Sequence, residues 1–97
     1  MRQLKERVAI ITGASRGLGR HIAEALAAEG CHLVLAARDE GALEDVAAGL
    51  RSAHGAQVAV VRTDVSERAQ LDRLFDTAKE RFEVVDILVN NAGLERS

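Results

Sequence analysis

Val8-Ala9-Ile10-Ile11-Thr12-Gly13-Ala14-Ser15-Arg16-Gly17-Leu18-Gly19 passes from an apolar run through three glycines into Arg20-His21-Ile22-Ala23-Glu24-Ala25-Leu26, which has helical periodicity. A strand, a glycine-rich turn and a helix in that order make an anion site. Backbone N–H groups converge in the turn, and the helix N-terminus adds unsatisfied donors and the positive end of its dipole. Gly13 can take a positive φ to leave the strand, while Gly17 and Gly19 omit the Cβ atoms that would hold a pyrophosphate away. The turn from Gly13 to Gly19 is therefore expected to bind a dinucleotide.

Its spacing, Gly-x-x-x-Gly-x-Gly, differs from the common Gly-x-Gly-x-x-Gly fingerprint. It is not a P-loop, because Arg20 follows Gly19 where a Lys-Ser/Thr pair would grip phosphate and magnesium. Gly13-Ala14-Ser15-Arg16-Gly17 also fits Gly-x-Ser-x-Gly, the nucleophile elbow of α/β-hydrolases, with Ser15 as nucleophile. That alternative needs an acid and then a histidine downstream. His21 lies on the helix that Ser15 would start, and His32 and His54 follow no acid at a sensible spacing. Labelling of Ser15 by an organophosphonate would revive it.

Outward from the turn, strand and helix signals alternate without a linker, repeat or low-complexity segment. The pattern predicts a strand over Arg7–Thr12 and a helix over Leu18–Glu29, with Leu18, Ile22, Ala25 and Leu26 on its apolar face and Gly30 closing it. His32–Ala37 reads as a second strand. Asp39 caps the helix beyond it, where Leu43, Val46, Ala47 and Leu50 recur at helical spacing before Gly55. Gln57–Arg62 is a third strand, and Ser66 is expected to cap a helix striped by Leu71, Leu74, Phe75, Ala78 and Phe82. A fourth strand falls within Val84–Asn90. Such continuous apolar strands belong to a parallel sheet covered on both faces.

Right-handed crossovers then limit the topology. The first three strands step one way, and the third helix crosses to the other face, giving an α/β sheet of order 3-2-1-4. The reversal between strands one and four opens a crevice at their carboxyl ends. The glycine turn and Asn90-Asn91-Ala92-Gly93 both border it.

Composition narrows the partners. The 97 residues suit one small domain, 1–97, with a net charge of −2, no Trp or Tyr, and Phe75 and Phe82 as the only aromatics. Mixed charge without stacking aromatics argues against nucleic acid, and no apolar run is long enough for a membrane span. Residues 1–7 carry charges of both signs and no signal-like apolar core. Cys31 is the sole cysteine, which suits a reducing cytoplasm and reads as a buried thiol at a strand start. Cys31, His32 and His54 show no metal-ligand spacing.

Three motifs together make the chain resemble the short-chain dehydrogenase/reductase family over nearly its whole length, nearest to its ketoacyl and carbonyl reductases. They are Thr12-Gly13-x-x-x-Gly17-x-Gly19, Asp64-Val65 after strand three, and Asn90-Asn91-Ala92-Gly93 after strand four. The resemblance implies a Rossmann-type sheet and hydride transfer between a nicotinamide and a small carbonyl or secondary alcohol. It implies that Gly13, Ala14, Ser15, Arg16, Gly17, Leu18 and Gly19 cradle the pyrophosphate and adenosine ribose. Asp64 would accept from the adenine amino group, with the Val65 amide beside the ring. Asn91, Ala92 and Gly93 would line the adenosine side while tying strands together. Asp64 has a plainer reading as a helix-start residue beside Ser66, and the asparagines one as a strand end.

Cofactor choice turns on Arg16 and Arg38. An NAD enzyme places a carboxylate at the end of strand two, where it accepts from the ribose 2′-OH. Ala37 stands there, followed by Arg38, and two guanidiniums converging on the ribose suit the 2′-phosphate of NADP better than NAD. One residue of drift would make Asp39 the ribose acid instead.

The chain also departs from the family pattern. The family's chemistry needs a Tyr and a Lys one helical turn apart; Tyr is absent, and Lys5 and Lys79 follow none. The chain is thus expected to be the cofactor-binding half, truncated relative to the full fold and inactive alone. A nucleotide-binding module without catalysis is the other possibility. The open, apolar fourth strand predicts a homo-oligomer or a longer protein. Glu83 stands where relatives usually have Gly, a change read as minor.

Overall fold

The structure is a computed structural model and describes residues 4–92. Four strands, β1 (Val8–Thr12), β2 (His32–Ala37), β3 (Val58–Arg62) and β4 (Ile87–Val89), alternate with α1 (Gly17–Ala28), α2 (Glu40–His54) and α3 (Arg68–Phe82). The strands form one parallel sheet in the order β3-β2-β1-β4, as the crossover argument requires. Ile10 sits at the centre of the register, opposite Val34 on one side and Leu88 on the other.

Alternation along the strands sends side chains to two separate cores. Ala9, Ile11, Leu33, Leu35 and Val58 pack with Ala23 and Ala27 of α1 and Leu43, Val46, Ala47 and Leu50 of α2. Ile10, Val34, Ala36, Ala59 and Val61 face the other way, onto Leu74 and Ala78 of α3. Two helices therefore cover one face and one covers the other. That second face is less enclosed: among the described residues β4 pairs with β1 alone, and Leu88 and Val84 are about half exposed.

Three local expectations need correction. In α1 the residues against the sheet are Gly19, Ala23 and Ala27, with Ile22 and Leu26 flanking, whereas Leu18 and Ala25 are exposed. Small side chains let the helix lie close to the sheet, and they carry little hydrophobic signal. Ser66 does not cap α3, which begins later; its N-cap is Glu67, whose side chain makes no capping bond. The third correction concerns Glu83, which ends α3 at φ 71°, ψ −33°. An L-residue rarely adopts that conformation, so the Gly-to-Glu departure stores backbone strain and is not minor.

Candidate functional site

At the carboxyl edge of the sheet the turns after β1, β2 and β3 enclose an open cleft of about 540 Å³. Gly13, Ser15 and Arg16 line it from the first turn, Arg38, Asp39 and Ala42 from the second, and Thr63, Asp64, Val65 and Ser66 from the third. Ala37 and Ala92 complete the lining. Seven of the residues singled out from sequence thus share one cavity: Gly13, Ser15, Arg16, Arg38, Asp64, Val65 and Ala92.

The remaining ones take other positions. Ala14, Gly19 and Asn91 are buried beneath the cleft, Gly17 and Leu18 lie exposed at the start of α1, and Gly93 is outside the described residues. Asn91 and Gly19 close on Gly13, while Ala14 ties the turn to β2. Asn91 Nδ2 donates to the Gly13 carbonyl at 3.2 Å, and the Ala14 amide donates to the Ala36 carbonyl at 3.2 Å. A Cβ on Gly19 would lie 2.1 Å from the Gly13 oxygen and 2.7 Å from Asn91 Nδ2. Gly19 is therefore a glycine first because helix and turn touch there; ligand approach is not needed to explain it. Gly13 adopts φ 63°, the left-handed value expected where the chain leaves the strand, and Gly17 also takes a positive φ, 59°, which was not anticipated.

Thr12 is the residue whose role the sequence reading missed. Its buried hydroxyl accepts from the amides of Asn91 (2.9 Å) and Ala92 (3.1 Å) and faces the Val89 carbonyl (3.4 Å) and Asn90 Oδ1 (3.2 Å). One side chain thereby ties the end of β1 to the segment after β4. The available signal was a polar residue ending an otherwise apolar strand.

The helix ends facing the cleft are unlike one another. Arg16 is the N-cap of α1 but offers no side-chain acceptor, and the first turn holds no acid. The leading amides of α1 thus keep the donor capacity that suits an anion. At α2, by contrast, Asp39 Oδ1 accepts from the Ala42 amide at 3.0 Å. The residue that one position of drift would have made the ribose acid is a helix cap.

Asp64 closes its own turn. Its Oδ1 accepts from the Ser66 amide at 3.0 Å and from Ser66 Oγ at 2.7 Å, while its own amide donates to Gln70 Oε1 at 2.8 Å. Those two bonds from Ser66, helped by Arg38 and Arg62 nearby, hold the carboxyl below its ordinary value of 3.8. The sign follows: this turn is intact above the ordinary carboxylate range and loses its acceptor as pH falls through the lowered value. Ser66 thus belongs to the turn closed by Asp64, one residue ahead of the Glu67 N-cap of α3.

Among the described residues Ser15 makes no hydrogen bond to a histidine; His32 and His54 pair with Glu6 and Glu24 instead. The hydrolase elbow gains no support from this arrangement. No group of three His, Cys, Asp or Glu side chains there could hold a metal, and no helix there is long and apolar enough to cross a membrane.

A cleft at the carboxyl ends of parallel strands, beside a glycine turn and a helix without a side-chain cap, defines a dinucleotide-binding α/β architecture. Residues 7–97 match the short chain dehydrogenase family, and the chain belongs to it. It is 43% identical over 94 residues to an uncharacterized oxidoreductase of Staphylococcus saprophyticus, spanning 97% of this chain and 40% of that protein. L-sorbose reductase from Gluconobacter frateurii, solved with NADPH and L-sorbose, superposes with a TM-score of 0.89 at 42% identity, over 92% of this chain and 34% of that one. A short chain dehydrogenase/reductase from Burkholderia phymatum, solved with NAD, gives 0.85 at 50% identity, over 91% and 31%. The chain therefore spans between about a third and two-fifths of the length of these relatives.

Proposed function

We propose that the chain is the cofactor-binding half of an NADP-dependent reductase of this family. The observation that carries the choice of NADP is the cleft's charge arrangement. Arg16 and Arg38 line one cavity from two different turns, while Asp39, the carboxylate nearest the end of β2, is committed to capping α2. In this reading the uncapped start of α1 receives the pyrophosphate, and Arg16 and Arg38 flank the 2′-phosphate. Asp64 and Val65 meet the adenine, and Ala92 borders the adenosine ribose. When bound, the nicotinamide supplies the hydride exchanged with a small carbonyl or secondary alcohol. Tyr and Lys for proton transfer would come from sequence outside this chain. A reducing cytosol is the compartment that fits the buried, unpaired Cys31, whose thiol is pushed up by burial and by Asp86 and Glu29.

A second reading, nucleotide holding without chemistry, has one point in its favour. In this reading the cleft-lining residues given a role serve the adenosine and phosphate groups of the ligand, and none is assigned to the nicotinamide. The exposed Leu88 and Val84 support association of the β4 edge with further protein, a second copy included.

Titration calorimetry with NADP and NAD tests the cofactor reading. NADP should bind more tightly, and Arg38→Ala should erase most of the difference, at about 1.5–3 kcal/mol for one charge-assisted contact. Equal affinities in the unaltered protein would contradict the assignment. Gly17→Val, which puts a branched side chain at φ 59°, should abolish binding of both nucleotides.

A further inference from the structure

The turn after β3 is held from two directions. Toward β2, the Thr63 amide donates to the Ala37 carbonyl at 2.8 Å. The backbone groups that flank Thr63 bond instead to side chains of α3. Arg73 donates to the Arg62 carbonyl at 3.1 Å, and Gln70 Oε1 accepts from the Asp64 amide at 2.8 Å. Gln70 and Arg73 stand three residues apart and so share one side of the helix. Among the described residues β3 pairs with β2 alone, so here the helix supplies bonds that a further strand would otherwise make. Both Ser66 bonds to Asp64 fall on Oδ1, and Oδ2 can therefore accept from a ligand without opening the turn.

We propose that Gln70 is a positioning residue for base recognition: through the Asp64 amide it fixes the turn whose carboxylate reads the purine. The proposal rests on the reading above in which Asp64 and Val65 meet the adenine. Gln70 does not line the cleft itself, so its action passes through Asp64. An ionised carboxylate only accepts hydrogen bonds, so it favours an amino group at C6 of a purine and disfavours a carbonyl oxygen there. That selectivity needs a carboxylate held in place, because a mobile one can meet either base through water. Without Gln70 the Asp64 amide loses its partner and is free to turn toward solvent, taking the carboxylate with it. Arg73 would still anchor Arg62, but not the residue that meets the base.

The probes are 5′-AMP and 5′-IMP, which share ribose and phosphate and differ at C6, amino against carbonyl. Calorimetry on the unaltered protein should favour 5′-AMP by roughly five- to tenfold, as for a hydrogen bond to a charged acceptor partly open to water. Gln70→Met keeps the length of the side chain but removes the acceptor, and the preference should fall to about twofold or less. Gln70→Glu keeps an acceptor in the first turn of α3 and should hold the preference within about twofold of the unaltered protein. A merely structural role for Gln70 would weaken both nucleotides together and leave their ratio unmoved. Full preference in Gln70→Met, or its loss in Gln70→Glu as well, would overturn the proposal. Amide hydrogen exchange reads the same bond without ligand. Exchange at Asp64 should be slow in the unaltered protein and in Gln70→Glu but fast in Gln70→Met, and equal rates in all three would also overturn it. Equal affinities for the two nucleotides on the unaltered protein would remove the adenine reading of Asp64 and the proposal with it. A preference that survives Gln70→Met removes the proposal alone.

Discussion

The two edges of this sheet use polar groups in opposite ways. At the amino edge, side chains are tied to backbone groups and to one another. Asp86 accepts from the Val8 amide at 2.9 Å and from Arg7 at 3.2 Å, and Cys31 Sγ reaches the Leu4 carbonyl at 3.3 Å. His32 takes the Gln57 amide on Nδ1 at 3.2 Å, contacts Glu6 through Nε2 at 2.6 Å, and stacks on Phe82 with ring centroids 6.0 Å apart. At the carboxyl edge the cleft stays open and α1 begins without a side-chain cap. In a parallel sheet all strands enter at one edge and leave at the other, so one edge can be closed for stability while the other holds the ligand site. Knots exist at both ends, but at the carboxyl edge the Thr12–Asn91–Gly13 knot lies under the cleft floor and leaves its surface available.

If that division is right, substitutions at the two edges should separate stability from binding. The largest effect is expected at Gly19→Ala, whose new Cβ would lie 2.1 Å from a backbone oxygen that cannot swing aside. A loss of about 3 kcal/mol in urea unfolding is expected, with nucleotide binding lost as the turn distorts. A stable Gly19→Ala protein would mean the knot is far softer than its geometry implies. Asp86→Ala comes next. It strands the Val8 amide and should cost about 1–3 kcal/mol of stability, yet leave nucleotide affinity of the folded protein unchanged. Affinity that falls in step with stability would show that the two edges are coupled.

The smallest effect has the opposite sign. Glu83→Gly relieves a positive φ at the end of α3 and should raise stability by about 1 kcal/mol, visible as a later unfolding midpoint. No gain would mean that lost contacts of the Glu83 side chain offset the relief.

What could be read without coordinates was whatever local chemistry determines. The parallel order follows from crossover handedness, and Leu43, Val46, Ala47 and Leu50 announce the buried face of α2 by spacing alone. Asp39 was legible as a cap because an acid before a helical stripe has one common use. Long-range facts were not legible. That Ser66 is held by Asp64, that Gly19 meets the Gly13 carbonyl, and that Thr12 binds amides some eighty residues away all depend on tertiary approach. Of the residues named from sequence, Gly13, Ser15, Arg16, Arg38, Asp64, Val65 and Ala92 line the cleft, whereas Ala14, Gly19 and Asn91 lie beneath it. Pattern matching marks a motif without distinguishing residues that meet a ligand from residues that support those that do.

Amide-resolved NMR titration of the protein with 2′,5′-ADP tests the central claim most directly. Saturable shifts should concentrate at Gly13–Gly19, Arg38–Ala42 and Thr63–Ser66, while Cys31, His32 and Asp86 stay unmoved. Shifts centred on the amino edge, or none that saturate, would contradict the account.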